Sequence, residues 1–165
     1  PATASVGEDG RIHNYGHDKL GAEMAEVILV RLKFPRKQID EIVFTVREHM
    51  QLAVAPKMRK AKLRRMLLRP TFELELEQHR IDCLGSHAKL DIYNFLRAEQ
   101  AALEEMPALI KPLVTGRDLI ELGIKPGPPM GKLLNEIRDH QLAEELSTRE
   151  EALAWATEAK EKTAQ

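Results

Sequence analysis

Apolar residues recur at intervals of three and four along most of this 165-residue chain, the spacing of helix faces and not of strands. Over residues 18–33 the positions Leu20, Met24, Val27, Ile28 and Leu32 form one such stripe, predicted to face inward, and Phe34-Pro35 ends the helix. A second helix is predicted over 36–52, with Ile39, Ile42, Val43, Val46 and Met50 inward. Pro56 then opens a third, 57–68, which Pro70 stops. The fourth, 71–86, begins with TFELELE, which alternates like a strand; helical spacing continuing through Ile81 and Leu84 decides for helix. A fifth spans 90–106, with Ile92, Leu96, Leu103 and Met106 on one side, and Pro107 and Pro112 bracket a linker. Helices over 117–122 and 130–142 and a last one follow. Ser147-Thr148-Arg149-Glu150 resembles a capping box for the last. Residues 1–16, punctuated by Gly7, Asp9-Gly10 and Gly16, read as irregular. The pattern predicts an all-α chain: a helical bundle over 1–106 and a smaller helical tail over 107–165.

Composition agrees with one domain and a small appendage. Aromatics are only 4% of residues, so the core must rest on Leu, Ile, Val, Met and Ala. The single cysteine, Cys83, excludes an intramolecular disulfide and points to a reducing, cytoplasmic setting. It lies in an apolar-rich run and reads as a buried small hydrophobe, not a nucleophile. No apolar run approaches membrane-spanning length, and no charged-then-apolar leader stands at the front, so no membrane partner is expected. The chain opens at Pro1 without a methionine, which suggests processing, trimming or a longer parent. Net charge is −1, but residues 1–70 carry 14 Lys/Arg against 8 Asp/Glu and residues 99–165 carry 8 against 13. A basic front suggests a polar partner there, or simply helix faces of mixed sign.

Three groups could carry chemistry. The first is PKMRKAKLRRMLLRP, in which Lys57, Arg59, Lys60, Lys62, Arg64, Arg65 and Arg69 stand with no acid among them. Met58, Leu63, Met66 and Leu67 give it an apolar side, so the helix can dock and still show a cationic ridge. Such a ridge suits phosphates, whose neutralisation releases counterions; alternatively, its charges pair with acids elsewhere. The second is His17, His49 and Asp82, which could converge from three helices on a divalent metal or form a buried polar cluster. Asp82 shares its stripe with Glu75, His79 and Ser86. The third is the elbow TGRDLIELGIKPGPPMG, with Arg117, Lys125, Gly127 and Lys132. It can aim backbone N–H groups and a positive helix end at a phosphate, or merely stop one helix and start another. No GxxxxGK[ST] loop, GxSxG elbow, CxxC pair or HExxH helix occurs.

Taken in order, DGRIHNYGHDKLGAEMA, Arg47-Glu48-His49, LRRMLLRPTFELELEQHRIDCLGSH, the elbow segment and QLAEELSTREEALAWA resemble the carboxyl-terminal half of a bacterial CCA-adding tRNA nucleotidyltransferase of the poly(A) polymerase family. The elbow and the TREEAL segment are the specific ones. The resemblance implies a partial HD-type domain followed by body and tail, with Pro1 matching the last letter of a His-Asp-Ile-Gly-Lys-Pro motif. It also implies ligand-type positions at His17, His49 and Asp82, without the upstream ligands. The family's nucleotidyl-transfer head and nucleotide-selecting neck have no counterpart in these residues, so no catalytic residue is assigned.

The function this implies is to hold tRNA for 3′-end extension by an amino-terminal catalytic head of the same parent protein. Arg59, Lys60, Arg64 and Arg65 would contact phosphates, with Lys125 and Lys132 as a second clamp beside Arg117 and Gly127. No cofactor is expected in the fragment itself; the parent could use Mg, Mn or Ni. Two rivals stand beside this reading: a metal-dependent phosphohydrolase of HD type using His17, His49 and Asp82, and a helical interaction module whose basic ridge meets an acidic protein.

Overall fold

The computed structural model describes residues 3–8, 10 and 12–163; the expectations attached to Pro1, Asp9 and Arg11 lie outside them. The described residues are all-α apart from one short hairpin. It divides into two compact units, Pro1–Lys57 with Pro70–Leu96, and Met58–Arg69 with Arg97–Gln165. The expected division at residue 106 differs from this: the basic helix belongs with the C-terminal helices, and the other break falls within the fifth helix.

In the first unit, β1 (Ala4–Val6) and β2 (Ile12–Asn14) pair antiparallel, Ala4 opposite Asn14 and Val6 opposite Ile12. The sequence read this stretch as irregular because three residues are too few to show alternation. Helix α1 (His17–Arg31) packs on α2 (Arg36–Glu48). The face it buries is not the predicted one. Ala22, Ala25 and Leu29 meet Ile39, Val43 and Val46, while Met24, Val27, Ile28 and Leu32 are exposed. Small residues win because they let the two backbones approach: a Cβ on Gly21 would stand 3.3 Å from Val46 Cγ1.

Helix α2 ends earlier than expected, and a 3-10 segment, His49–Lys57, follows with Pro56 inside it. Its Leu52 and Ala55 are buried, whereas Met50 is exposed. Helix α4 (Phe72–Ser86) confirms the reading of TFELELE as helix. It turns Phe72, Glu75, Leu76, His79 and Cys83 inward and leaves Leu74, Ile81 and Leu84 outside.

The second unit begins with α3 (Lys60–Leu67), packed on α8 (Pro128–Leu142). Between them in sequence come α5 (Asp91–Glu104), α6 (Pro107–Ile110), where a linker was expected, and α7 (Gly116–Glu121). Helix α9 (Arg149–Thr163) closes the chain. Val114, Leu119, Ile137, Leu146, Ala152 and Ala156 form the core. Buried Gln141 ties the α6–α7 stretch to α8: its Nε2 donates to the Ala108 and Lys111 carbonyls, and its Oε1 accepts from Leu113 N–H and Arg138. A buried amide so fully bonded fixes the stretch without a desolvation penalty left over.

Two caps set the entry of α7 and α9. Asp118 accepts from the Thr115 N–H at 2.6 Å and from the Thr115 hydroxyl at 2.7 Å. At α9 the capping pair is Thr148 and Glu151, one residue beyond the predicted box: Glu151 N–H donates to Thr148 Oγ1 at 3.2 Å, and Glu151 Oε2 accepts from Thr148 N–H. Arg149 crosses from α9 to Asp118 at 2.6 Å, so one carboxylate serves both helix starts.

Candidate metal and nucleic-acid sites

In the first unit His17, His49 and Asp82 meet, each offering one ligand atom, all within 4.8 Å of one another. His17 heads α1 and donates through Nδ1 to the Asn14 carbonyl at 2.8 Å. His49, buried where α2 gives way to the 3-10 segment, donates through Nδ1 to the Val46 carbonyl at 2.6 Å. With both Nδ1 atoms donating to these carbonyls, the two Nε2 atoms face each other 3.2 Å apart, where a proton or a cation can bridge them. Fixing the outer nitrogen to a carbonyl is the usual way a protein orients a metal-binding imidazole. Asp82 of α4 supplies an exposed carboxylate. An open cleft of about 610 Å³ lined by Asn14, Tyr15, His17, Met50, Asp82 and Ser86 gives access. Two imidazole nitrogens and a carboxylate could hold a divalent ion; the nitrogens suit nickel, and the carboxylate with water would also admit manganese.

Behind this cluster on α4, burial pushes the His79 imidazole below its ordinary pKa, against the opposing pull of Asp82. Cys83 is buried, its Sγ 3.6 Å from His79 Nε2, and burial raises its thiol pKa, as suits an inert small hydrophobe.

The basic helix α3 is less free than its sequence suggested. Arg64 is buried; it donates to the Leu142 carbonyl at 2.8 Å and pairs with Glu144 at 3.3 Å. Lys60 also pairs with Glu144, whose pKa is lowered first by the Lys60 hydrogen bond and then by Arg64. Arg65 holds Asp139 through two nitrogens, at 2.9 and 2.6 Å, and reaches Asn135 as well. Three of the four expected phosphate ligands are thus engaged inside the unit, the alternative in which the charges pair with acids elsewhere. Arg59 and Lys62 are exposed, and their side chains make no ion pair or hydrogen bond with any described residue. The acids that neutralise the helix lie more than 70 residues away in sequence, and nothing local in PKMRKAKLRRMLLRP signals them.

At the elbow, Gly127 caps α8 with φ 151° and ψ −177°, a conformation that needs glycine. Pro128 and Pro129 occupy the first two helical positions and carry no N–H, and Gly131 N–H already donates to Gly127 O at 3.2 Å. The expected fan of backbone donors is therefore sparse, and any anion there would depend on side chains. The side chains of Arg117 and Lys125 are exposed without a partner among the described residues, and Lys132 pairs only loosely with Glu136 at 3.8 Å.

The family model described as tRNA nucleotidyltransferase domain 2, putative, matches residues 17–156. The chain belongs to the tRNA nucleotidyltransferase family. Its relatives include an A-adding tRNA nucleotidyltransferase of Deinococcus radiodurans, 34% identical over 162 residues, covering 92% of this chain and 37% of that protein. A CC-adding tRNA nucleotidyltransferase of Thermus thermophilus is 31% identical over 155 residues, 90% of this chain and 34% of that one. A CC-adding tRNA nucleotidyltransferase of Synechocystis is 49% identical over 49 residues, 29% of this chain and 12% of the relative. The chain thus spans about a third of the length of the first two tRNA nucleotidyltransferases. No solved structure matches it. Among the described residues no helix is long and apolar enough to cross a membrane.

Proposed function

We propose that this chain is the tRNA-holding part of a longer tRNA nucleotidyltransferase, positioning the acceptor end for nucleotide addition by a separate head. The observation that carries the reading is the family match across residues 17–156, which takes in both units. The unpaired cations Arg59, Lys62, Arg117 and Lys125 supply the chemistry, because duplex RNA is gripped by phosphate and shape and not by base sequence. Lys60, Arg64 and Arg65 act differently: bound to Glu144 and Asp139, they hold α3 in place so that Arg59 and Lys62 are presented. Such residues confer affinity and register and make no bonds in the reaction. Relatives that add A and relatives that add CC align with the same residues, as expected if the choice of nucleotide is made in the head. Retention of tRNA against an excess of unrelated DNA duplex tests the reading. Binding that the competitor abolishes would contradict it.

A second reading rests on the cluster of His17, His49 and Asp82: a divalent-metal site in the first unit, with phosphohydrolase activity of HD type as its strongest form. The metal would polarise a phosphoryl oxygen or activate water. Stoichiometric manganese or nickel with phosphatase turnover would support that form, and metal without turnover would reduce it to a structural site.

A further inference from the structure

Helix α1 has two apolar faces where a surface helix has one. Its inner stripe, Ala22, Ala25 and Leu29, is packed on α2. Lys19, Glu23 and Glu26 keep to a polar side, where Glu26 pairs with Arg36 at 3.2 Å. The remaining side repeats apolar residues at i, i+4, i+7 and i+8, namely Leu20, Met24, Val27 and Ile28. Val27 is 70% exposed and Met24 56%. A helix that is apolar on opposite faces belongs in an interior, and large exposed apolar patches mark interfaces. The family model is that of a second domain, and the chain accounts for only 37% and 34% of the length of two relatives. Most of such a protein is therefore available to cover this stripe.

We infer that Leu20, Met24, Val27 and Ile28 form the docking face for an apolar surface of another domain of the same, longer polypeptide. This rests on the proposal that the chain is part of a longer nucleotidyltransferase, and it names the surface through which that part is joined. The regular helical spacing fits a partner that lies along α1, most simply a helix whose own apolar side completes the layer. It also accounts for the sequence pattern, which reads as an inward stripe because in the whole protein it is one.

The test compares thiol labelling of Val27→Cys in the 165-residue chain with the same substitution in the complete polypeptide encoded by the gene, followed by peptide mass mapping. Ala154→Cys on the exposed side of α9 serves as the control. Labelling at position 27 should be fast in the short chain and at least about tenfold slower in the complete polypeptide, with the control unchanged, because exchange at a packed interface requires local opening. Equal labelling in both would overturn the inference. So would a gene encoding no further domain, or protection already present in the short chain as a dimer by sedimentation. Retention of tRNA is measured on the same samples. Protection without tRNA retention would contradict the proposed function and leave the docking face standing, and the reverse result would do the opposite.

Discussion

The Nε2 atoms of His17 and His49 face each other at 3.2 Å while each ring's other nitrogen is committed to a main-chain carbonyl. Two lone pairs at this distance repel unless a proton or a cation sits between them, and Asp82 adds negative charge beside them. The arrangement predicts uptake of nickel or manganese. At a metal concentration of one hundred times Kd, binding should stabilise the chain by about 2.7 kcal/mol. His49→Ala should remove that thermal shift, measured by calorimetry with and without metal, and a shift surviving in the variant would place the ion elsewhere.

Arg64 should matter to stability more than to RNA. It is buried and spends its guanidinium on Leu142 O and Glu144. Arg64→Ala leaves the Leu142 carbonyl without its donor and Glu144 with Lys60 alone, and should cost about 1–3 kcal/mol in urea unfolding. Arg59→Ala, at an exposed position without partners, should stay within about 0.5 kcal/mol of the native chain.

Asp118 predicts an acid limit for the second unit. Hydrogen bonds from Thr115 and then Arg149 hold its carboxyl well below the usual carboxylate range. A depressed folded pKa means the stabilisation is fully present above about pH 5 and drains away as pH falls toward the folded value. Asp118→Asn should therefore lower the urea midpoint at neutral pH, and the gap to the native chain should narrow below about pH 4. A gap independent of pH would remove the carboxylate charge from the explanation.

Gly127→Ala tests the elbow. The added Cβ would meet only Pro129 Cδ, at an ordinary 3.7 Å, so the penalty is one of backbone conformation and not of space. A loss of about 1–3 kcal/mol is expected, seen as a lower melting temperature. Gly131→Ala, whose Cβ meets nothing within 4 Å inside a helix, should be neutral or mildly stabilising.

Helix positions were legible because a period of three and four survives in almost every segment, TFELELE included. Helix orientation was less so. On α1 the larger residues suggested the inner face, but close approach to α2 favours Gly21, Ala22 and Ala25, and no count of apolar residues shows which face a neighbour selects. His17, His49 and Asp82 were found through residue type and family likeness, and the structure brings them together. Glu144 and Asp139 were missed as partners of the basic helix because pairing across 74 to 84 residues leaves no local trace. The hairpin at the front escaped for want of length, and the elbow was expected to aim backbone donors that Pro128 and Pro129, at the first two helical positions, do not carry.

The claim on which the account turns is that unpaired cations of the second unit hold tRNA phosphates. The most direct measurement is the slope of log binding constant against log salt for tRNA, compared between the native chain and Arg59→Glu/Lys62→Glu. Both positions are exposed and outside every ion pair that holds α3, so folding should be unchanged by circular dichroism and melting. The account predicts weaker binding and a slope shallower by about 1–2 units, since roughly one counterion is released per phosphate contact. Native affinity with an unaltered slope in the folded variant would contradict it.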